Sequence, residues 1–255
     1  PKTFRHVGPI THIELDNGAS ITARLVVGAD GAQSKVRQAF GIGVNRGQYQ
    51  QACLVASVNT QLGQQDITWQ RFVSTGPQAF LPLLGQHGSV VWYHQADKAR
   101  ALANLSHEHL ADEIMAQFPR QLGFIEVTAK ASFGLQKQHA QSYCAKGMVL
   151  IGDAAHVINP LAGQGVNLGF QDVASLANVL TQARSNGEDW ATQRVLMRYQ
   201  KQRKLANSLM LHSMDAFHHG FSNTNIKTKW LRNLALSSAK IPLIKKQVIR
   251  YAMGI

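Results

Sequence analysis

Residues 150–169 read LIGDAAHVINPLAGQGVNLG, and the reading of this stretch decides the fold. Met148-Val149-Leu150-Ile151 is a short apolar run with the length of a buried strand. It stops at Gly152-Asp153. A loop with Pro160, Gly163 and Gly165 follows, and the spacing predicts an amphipathic helix from near Val166. Strand, carboxylate, glycine loop and helix start together form a cradle for a polar ligand. Glycines allow close backbone approach and positive φ. Free N–H groups at a helix start favour negative charge. A carboxylate at a strand end accepts hydrogen bonds from ligand hydroxyls.

A second stretch of the same kind lies upstream. Residues 10–28 are predicted to form a β-hairpin: Ile13-Glu14-Leu15 alternates, Asp16-Asn17-Gly18 turns, and Ile21 to Val27 returns. The return runs into Gly28-Ala29-Asp30-Gly31, and a short helix is expected from Ser34 with Val36, Arg37 and Phe40. Between the two stretches, strand-like runs at Cys53–Val58, Thr68–Val73, Ala79–Leu84 and Ser89–His94 suggest an antiparallel meander. Ser106–Phe118 has helical spacing with Ser106 as N-cap, and Phe124–Leu135 is a further strand. Helices are predicted over 166–183 and about 189–218. The expected organisation is an α/β domain of residues 1–50 and 136–225, an inserted antiparallel-sheet domain at 51–135, and a tail at 226–255. A cleft between such domains is a common place for a small-molecule site.

The chain has 255 residues, 45% hydrophobic and 16% charged, which is globular composition. No apolar run approaches the roughly 18–20 residues that span a bilayer, and the start, PKTFRHVG, has no signal-peptide pattern. Cys53 and Cys144 are far apart and not in CxxC spacing, so neither a disulfide framework nor a zinc site is expected, and a cytoplasmic location fits. Net charge is +12. From Ala216 onward there is no Asp or Glu, while Lys227, Lys229, Arg232, Lys240, Lys245, Lys246 and Arg250 alternate with apolar residues such as Trp230, Leu234, Ile241 and Ile249. Such a tail reads equally as a peripheral membrane or acidic-partner element and as a helix packed on the body. No motif accompanies the charge to suggest nucleic acid.

The pair GADGAQSKVR (28–37) and GDAAH…PLAGQGVNLG (152–169) resembles the group A flavin monooxygenases of the para-hydroxybenzoate-hydroxylase type. Within that family the second motif is similar to the ubiquinone-biosynthesis hydroxylases. Phe80-Leu81-Pro82-Leu83, Val91-Trp92-Tyr93 and Gly220-Phe221-Ser222-Asn223 support the likeness. The resemblance implies an α/β FAD/NAD(P)-binding domain with an inserted sheet domain for substrate and C-terminal helices. It implies FAD as cofactor and NAD(P)H and O2 as cosubstrates. It further implies hydroxylation of a polyprenylated phenol or quinol through a C4a-hydroperoxyflavin, with a ubiquinone-biosynthesis complex as possible company.

By the same resemblance, Asp30 and Gly31 lie near the FAD pyrophosphate and serve nicotinamide use. Gly152 and Asp153 meet the ribityl chain, Asp153 by accepting from its hydroxyls. Gly163, Gln164, Gly165, Val166 and Asn167 pass the pyrimidine edge, where a helix start would stabilise the reduced ring's negative charge. The resemblance assigns no catalytic side chain. Family members also carry GxGxxG in an N-terminal βαβ unit. This chain has none, so a truncated domain with weak or absent FAD affinity is expected. A non-catalytic module of a biosynthetic complex, or a flavin hydroxylase of a soluble aromatic substrate, are the alternatives.

Several residues have plainer readings. His156 has no second metal ligand at suitable spacing, and a structural hydrogen bond suits it better. Trp69, Trp92 and Tyr93 fit sheet core at least as well as an aromatic site. No GxSxG elbow marks a hydrolase.

Overall fold

A computed structural model describes residues 1–159 and 164–222. The basic tail at 226–255 and Pro160 to Gly163 lie outside the described residues. Among the described residues, Pro1–Gly47 with Gln136–Ala216 make one compact unit and Gln48–Leu135 a second.

In the first unit, β1 (Thr3–Val7), β2 (Ile10–Glu14) and β3 (Ser20–Ala23) form an antiparallel three-stranded sheet. The predicted return strand is thus broken in two. β3 ends at Ala23, and β4 (Val26–Gly28) leaves for another sheet. Between them Arg24 turns outward, paired with Asp189 at 2.5 Å and stacked 4.8 Å over the Trp190 ring. Val26 and Gly28 turn inward, because β4 pairs in parallel with β11 (Met148–Leu150). β10 (Cys144–Ala145) closes the order β10-β11-β4. α1 (Lys35–Ala39) follows β4, and its start is fixed by Ser34 Oγ, which accepts from the Arg37 N–H at 2.9 Å.

Two long helices complete this unit. α4 (Gln164–Ser185) buries the stripe Leu168, Asp172, Leu176, Val179 and Ala183. α5 (Gln193–Ser222) buries Val195, Leu196, Tyr199, Arg203, Asn207 and Met210. Both stripes follow the 3.6-residue period. The core lies among Met148, Val149, Leu150, Tyr143, Leu176, Val179, Leu196 and Tyr199.

A six-stranded sheet has the order β12 (His156–Val157), β9 (Ile125–Ala140), β5 (Val44–Thr60), β8 (His87–Gln95), β7 (Gly76–Pro82), β6 (Trp69–Val73). The second unit holds β6 to β8 and the parts of β5 and β9 within Gln48–Leu135, while β12 and the remaining ends of β5 and β9 belong to the first. The runs are antiparallel as expected, but they are not a simple meander. β6, β7 and β8 are consecutive hairpins, whereas β5 pairs with β8, from Gln51↔Gln95 to Asn59↔His87. α2 (Ala96–Asn104), which the apolar spacing did not announce, and α3 (His107–Gln117) supply Leu102, Leu110 and Ile114 to the core. Trp92 and Tyr93 are buried in this sheet, and Trp92 meets Phe118 edge-on at 5.4 Å. The plainer, core reading of these aromatics holds. Both cysteines are free and buried, and burial raises their thiols to about 12 for Cys53 and about 11 for Cys144.

Candidate functional site

The parallel pairing of β4 with β11 sets the geometry. In register Leu150 lies opposite Gly28, and Ile151 N–H donates to Gly28 O at 3.0 Å. The two motifs therefore leave the sheet side by side, at the carboxyl ends of adjacent parallel strands. That edge is where open α/β sheets present their ligand sites. Gly28 permits the pairing, since a Cβ there would stand 2.8 Å from Leu150 Cδ2 and 3.0 Å from Val36 Cγ1.

After β4, Asp30 stands exposed and accepts from the Val36 N–H at 3.1 Å. Partial burial pushes its carboxyl up, but hydrogen bonds from the Ser34 side chain and the Val36 backbone outweigh this and hold it below its ordinary value. Gly31 follows at φ +80°, the left-handed region that favours glycine. After β11, Gly152 (φ +57°) opens a 3-10 turn through Ala154. Asp153 in that turn is exposed, with no hydrogen bond or ion pair to the described residues.

Arg37, 1% exposed, ties the two turns together. Its Nη1 donates to Ala154 O at 2.8 Å and its Nη2 to Ala32 O at 2.9 Å. Gln138 Nε2 donates to the same Ala32 carbonyl at 3.0 Å. A buried guanidinium bridging two carbonyls locks the spacing between the Asp30 and Asp153 turns.

A second anchor comes from Asp172 on α4, which is fully buried. Its Oδ2 accepts from the Gly152 N–H at 3.0 Å and bonds His156 Nε2 at 2.5 Å. Its Oδ1 accepts from Arg203 Nε at 2.7 Å and Asn207 Nδ2 at 3.1 Å. Burial raises this carboxyl, but the hydrogen bond and Coulombic pull of His156, then Arg203 and Asn207, overcome it and hold the pKa below the ordinary 3.8. The network continues through Asn207 to the Tyr143 hydroxyl at 3.3 Å and on to His139 Nε2 at 2.7 Å. Desolvation, with the neighbouring His156 and Lys204, lowers His139 to about 4. His156 is thus the structural hydrogen-bonding residue its spacing suggested.

α4 starts at Gln164, two residues before the expected Val166, so Gly165 lies in its first turn. Val166 and Asn167 are exposed there. A Cβ on Gly169 would come within 3.5 Å of Gly152 Cα, so the first half of α4 lies directly against the Gly152 turn. The structure thus brings together Asp30, Gly31, Gly152 and Asp153 at one sheet edge, with the beginning of α4 against the Gly152 turn. Gly163 lies outside the described residues.

The residues present suit a flavin in kind. An exposed, unpaired carboxylate and a positive-φ glycine sit at a strand end. Further along the same stretch, buried His156 Nδ1 and both amide atoms of Asn159 have no partner among the described residues. Sequence reasoning missed Asp172, Arg203 and Asn207. Their signal was present: each is a polar residue in register with an otherwise apolar helix stripe. Among the described residues no three His, Cys, Asp or Glu converge as a metal site would require.

Comparison with known proteins shows the family and the fold. Residues 3–213 match the family described as FAD binding domain. The chain is 46% identical over 247 residues to 3-demethoxyubiquinol 3-hydroxylase of Escherichia coli (strain K12), covering 96% of this chain and 63% of that protein. It is 36% identical over 242 residues to the ubiquinone hydroxylase UbiL of Rhodospirillum rubrum, covering 94% of this chain and 56% of the relative. The chain therefore spans about six-tenths of the length of these curated relatives. Among solved structures, p-nitrophenol 4-monooxygenase PnpA from Pseudomonas putida DLL-E4 superposes with a TM-score of 0.75 at 18% identity, over 99% of this chain and 66% of that one. At that identity the likeness shows the fold alone.

Proposed function

This chain belongs to the FAD-binding-domain family, and from that premise we propose that it serves an FAD-dependent, NAD(P)H-consuming monooxygenase that hydroxylates a polyprenylated phenol or quinol of ubiquinone biosynthesis. The observation that carries the reading is the 46% identity to a 3-demethoxyubiquinol 3-hydroxylase along nearly the whole chain.

In this reading Asp153 accepts hydrogen bonds from the ribityl hydroxyls, which its exposed position at the end of β11 favours. Gly152 leaves room for that approach, because no side chain intervenes. Asp30 and Gly31 serve the pyrophosphate and nicotinamide side. Gly163, Gln164, Gly165, Val166 and Asn167 line the pyrimidine edge, where the free N–H groups at the start of α4 favour negative charge. Arg37 and Asp172 hold the two turns in place without touching the ligand. Bound FAD supplies the redox chemistry, taking electrons from NAD(P)H and activating O2. The chain's own part is binding, orientation and electrostatics. An electron-rich ring is itself nucleophilic, so the reading asks for no side-chain nucleophile. We assign substrate binding to the sheet unit, and peripheral membrane or complex contacts to the basic tail.

Incubating a version of the protein that also carries the family's GxGxxG segment with FAD, NADH or NADPH, O2 and a short-chain demethoxyquinol tests the reading. The expected product is heavier by one oxygen atom, with NAD(P)H consumed in step. NAD(P)H oxidation that never yields an oxygenated ring, across a panel of quinols and phenols, would contradict it.

A further inference from the structure

The segment after β12 carries a polar group that the Asp172 network does not explain. Asn159 is 1% exposed, yet among the described residues neither its Nδ2 nor its Oδ1 has a hydrogen-bond partner. Three residues earlier, His156 spends Nε2 on Asp172 and leaves its buried Nδ1 unpaired. Other described residues with an unpaired buried side-chain atom, His6, Gln51 and Trp92, each leave one. Asn159 alone leaves both a donor and an acceptor.

Burying a carboxamide with nothing to bond is unfavourable, and native proteins satisfy nearly all such groups. Packing does not require an amide in this segment. The adjacent Ile158 is buried in an apolar cluster with Leu168 and Met210. An apolar side chain at position 159 would avoid the penalty, so the amide calls for a partner from outside the protein. Its place in the chain says where that partner lies. Asn159 lies six residues after Asp153 and five before Gln164, the first residue of α4, in the stretch of sequence that supplies the candidate site.

We propose that Asn159 is a ligand-recognition residue, whose carboxamide pairs with a ligand group presenting an acceptor and a donor side by side. Two sources offer that chemistry: the imide edge of a flavin, and adjacent oxygen substituents on a phenol or quinol ring. The choice of these ligands rests on the flavin-hydroxylase reading, whereas the unpaired amide does not.

Asn159→Leu tests the proposal in a version of the protein that also carries the family's GxGxxG segment. Replacing an unpaired buried amide by an apolar group of similar size should raise the ligand-free melting temperature by roughly 2–4 °C. It should also weaken one ligand at least about tenfold. Separate titrations with FAD and with 2-methoxyhydroquinone identify the source, because loss confined to one assigns the carboxamide to it. Asn159→Ala, which adds no bulk, repeats the affinity measurement should the Leu variant misfold. A lower melting temperature for Asn159→Leu would mean that the protein supplies the partner, and would overturn the proposal. Stabilisation with both affinities intact would overturn this inference alone. Binding of neither probe by wild-type protein that also carries the GxGxxG segment would overturn the flavin-hydroxylase reading and this ligand assignment together.

Discussion

At the scale of single residues, the site depends on two buried groups that the ligand need not touch. Arg37 binds the carbonyls of Ala32 and Ala154, one from each motif. Asp172 gathers Gly152, His156, Arg203 and Asn207. Replacing Asp172 by Asn leaves the largely buried Arg203 without its counter-charge, and removing one partner of a buried pair typically costs about 3–5 kcal/mol. Denaturant unfolding of Asp172→Asn at neutral pH should show a loss of that order. The pH dependence has a definite sign. The folded carboxyl titrates below the ordinary 3.8, so its contribution is complete above that value and is lost as pH falls through the lower folded value. Wild-type stability should therefore drop more steeply below about pH 4 than that of Asp172→Asn. Asp30 and Asp153 were legible because each follows a strand and meets a glycine. Asp172 was not, since an acidic residue in the middle of a helix reads as solvated until its register with Leu168, Leu176 and Val179 is noticed.

At the scale of elements, what is local in the chain was legible and what is distant was not. Ser34 and Ser106 cap α1 and α3 through bonds reaching three residues ahead, to Arg37 N–H and His109 N–H. The pairing of β5 with β8 joins segments separated by two other strands, and the turn between Ala23 and Val26 answers to β11, more than a hundred residues away. No local pattern carries such partners. The pairing does leave marks that only packing reveals. Gly88 on β8 lies beneath Phe80 on β7, where a Cβ would stand 2.3 Å from Phe80 Cε2. Phe80 is fully buried and has little room to move. Gly88→Ala should therefore destabilise the fold by about 1–3 kcal/mol through overpacking. Phe80→Leu in the same chain should recover part of that loss, and thermal unfolding of the single and double variants checks both expectations.

At the scale of the whole molecule, the family was legible because two short motifs converge on one sheet edge, and residues 3–213 match the FAD binding domain. The charge distribution belongs to this scale too. No helix among the described residues is long and apolar enough to cross a membrane, while seven Lys and Arg and no acid lie in the last forty residues. On the reading that the tail contacts anionic lipid, deleting residues 226–255 should weaken co-sedimentation with anionic vesicles and leave neutral vesicles unaffected. Each basic residue near such a surface contributes about 1 kcal/mol, so equal co-sedimentation of the two proteins would exclude that role. The central claim concerns the carboxylate at the end of β11. Fluorescence titration of FAD against wild type and Asp153→Ala, both in a version that also carries the family's GxGxxG segment, tests it most directly. The account predicts at least about tenfold weaker binding for the variant, a loss of roughly 1.4 kcal/mol, with an unchanged melting temperature because Asp153 is exposed. Equal FAD affinity in the two proteins would contradict it.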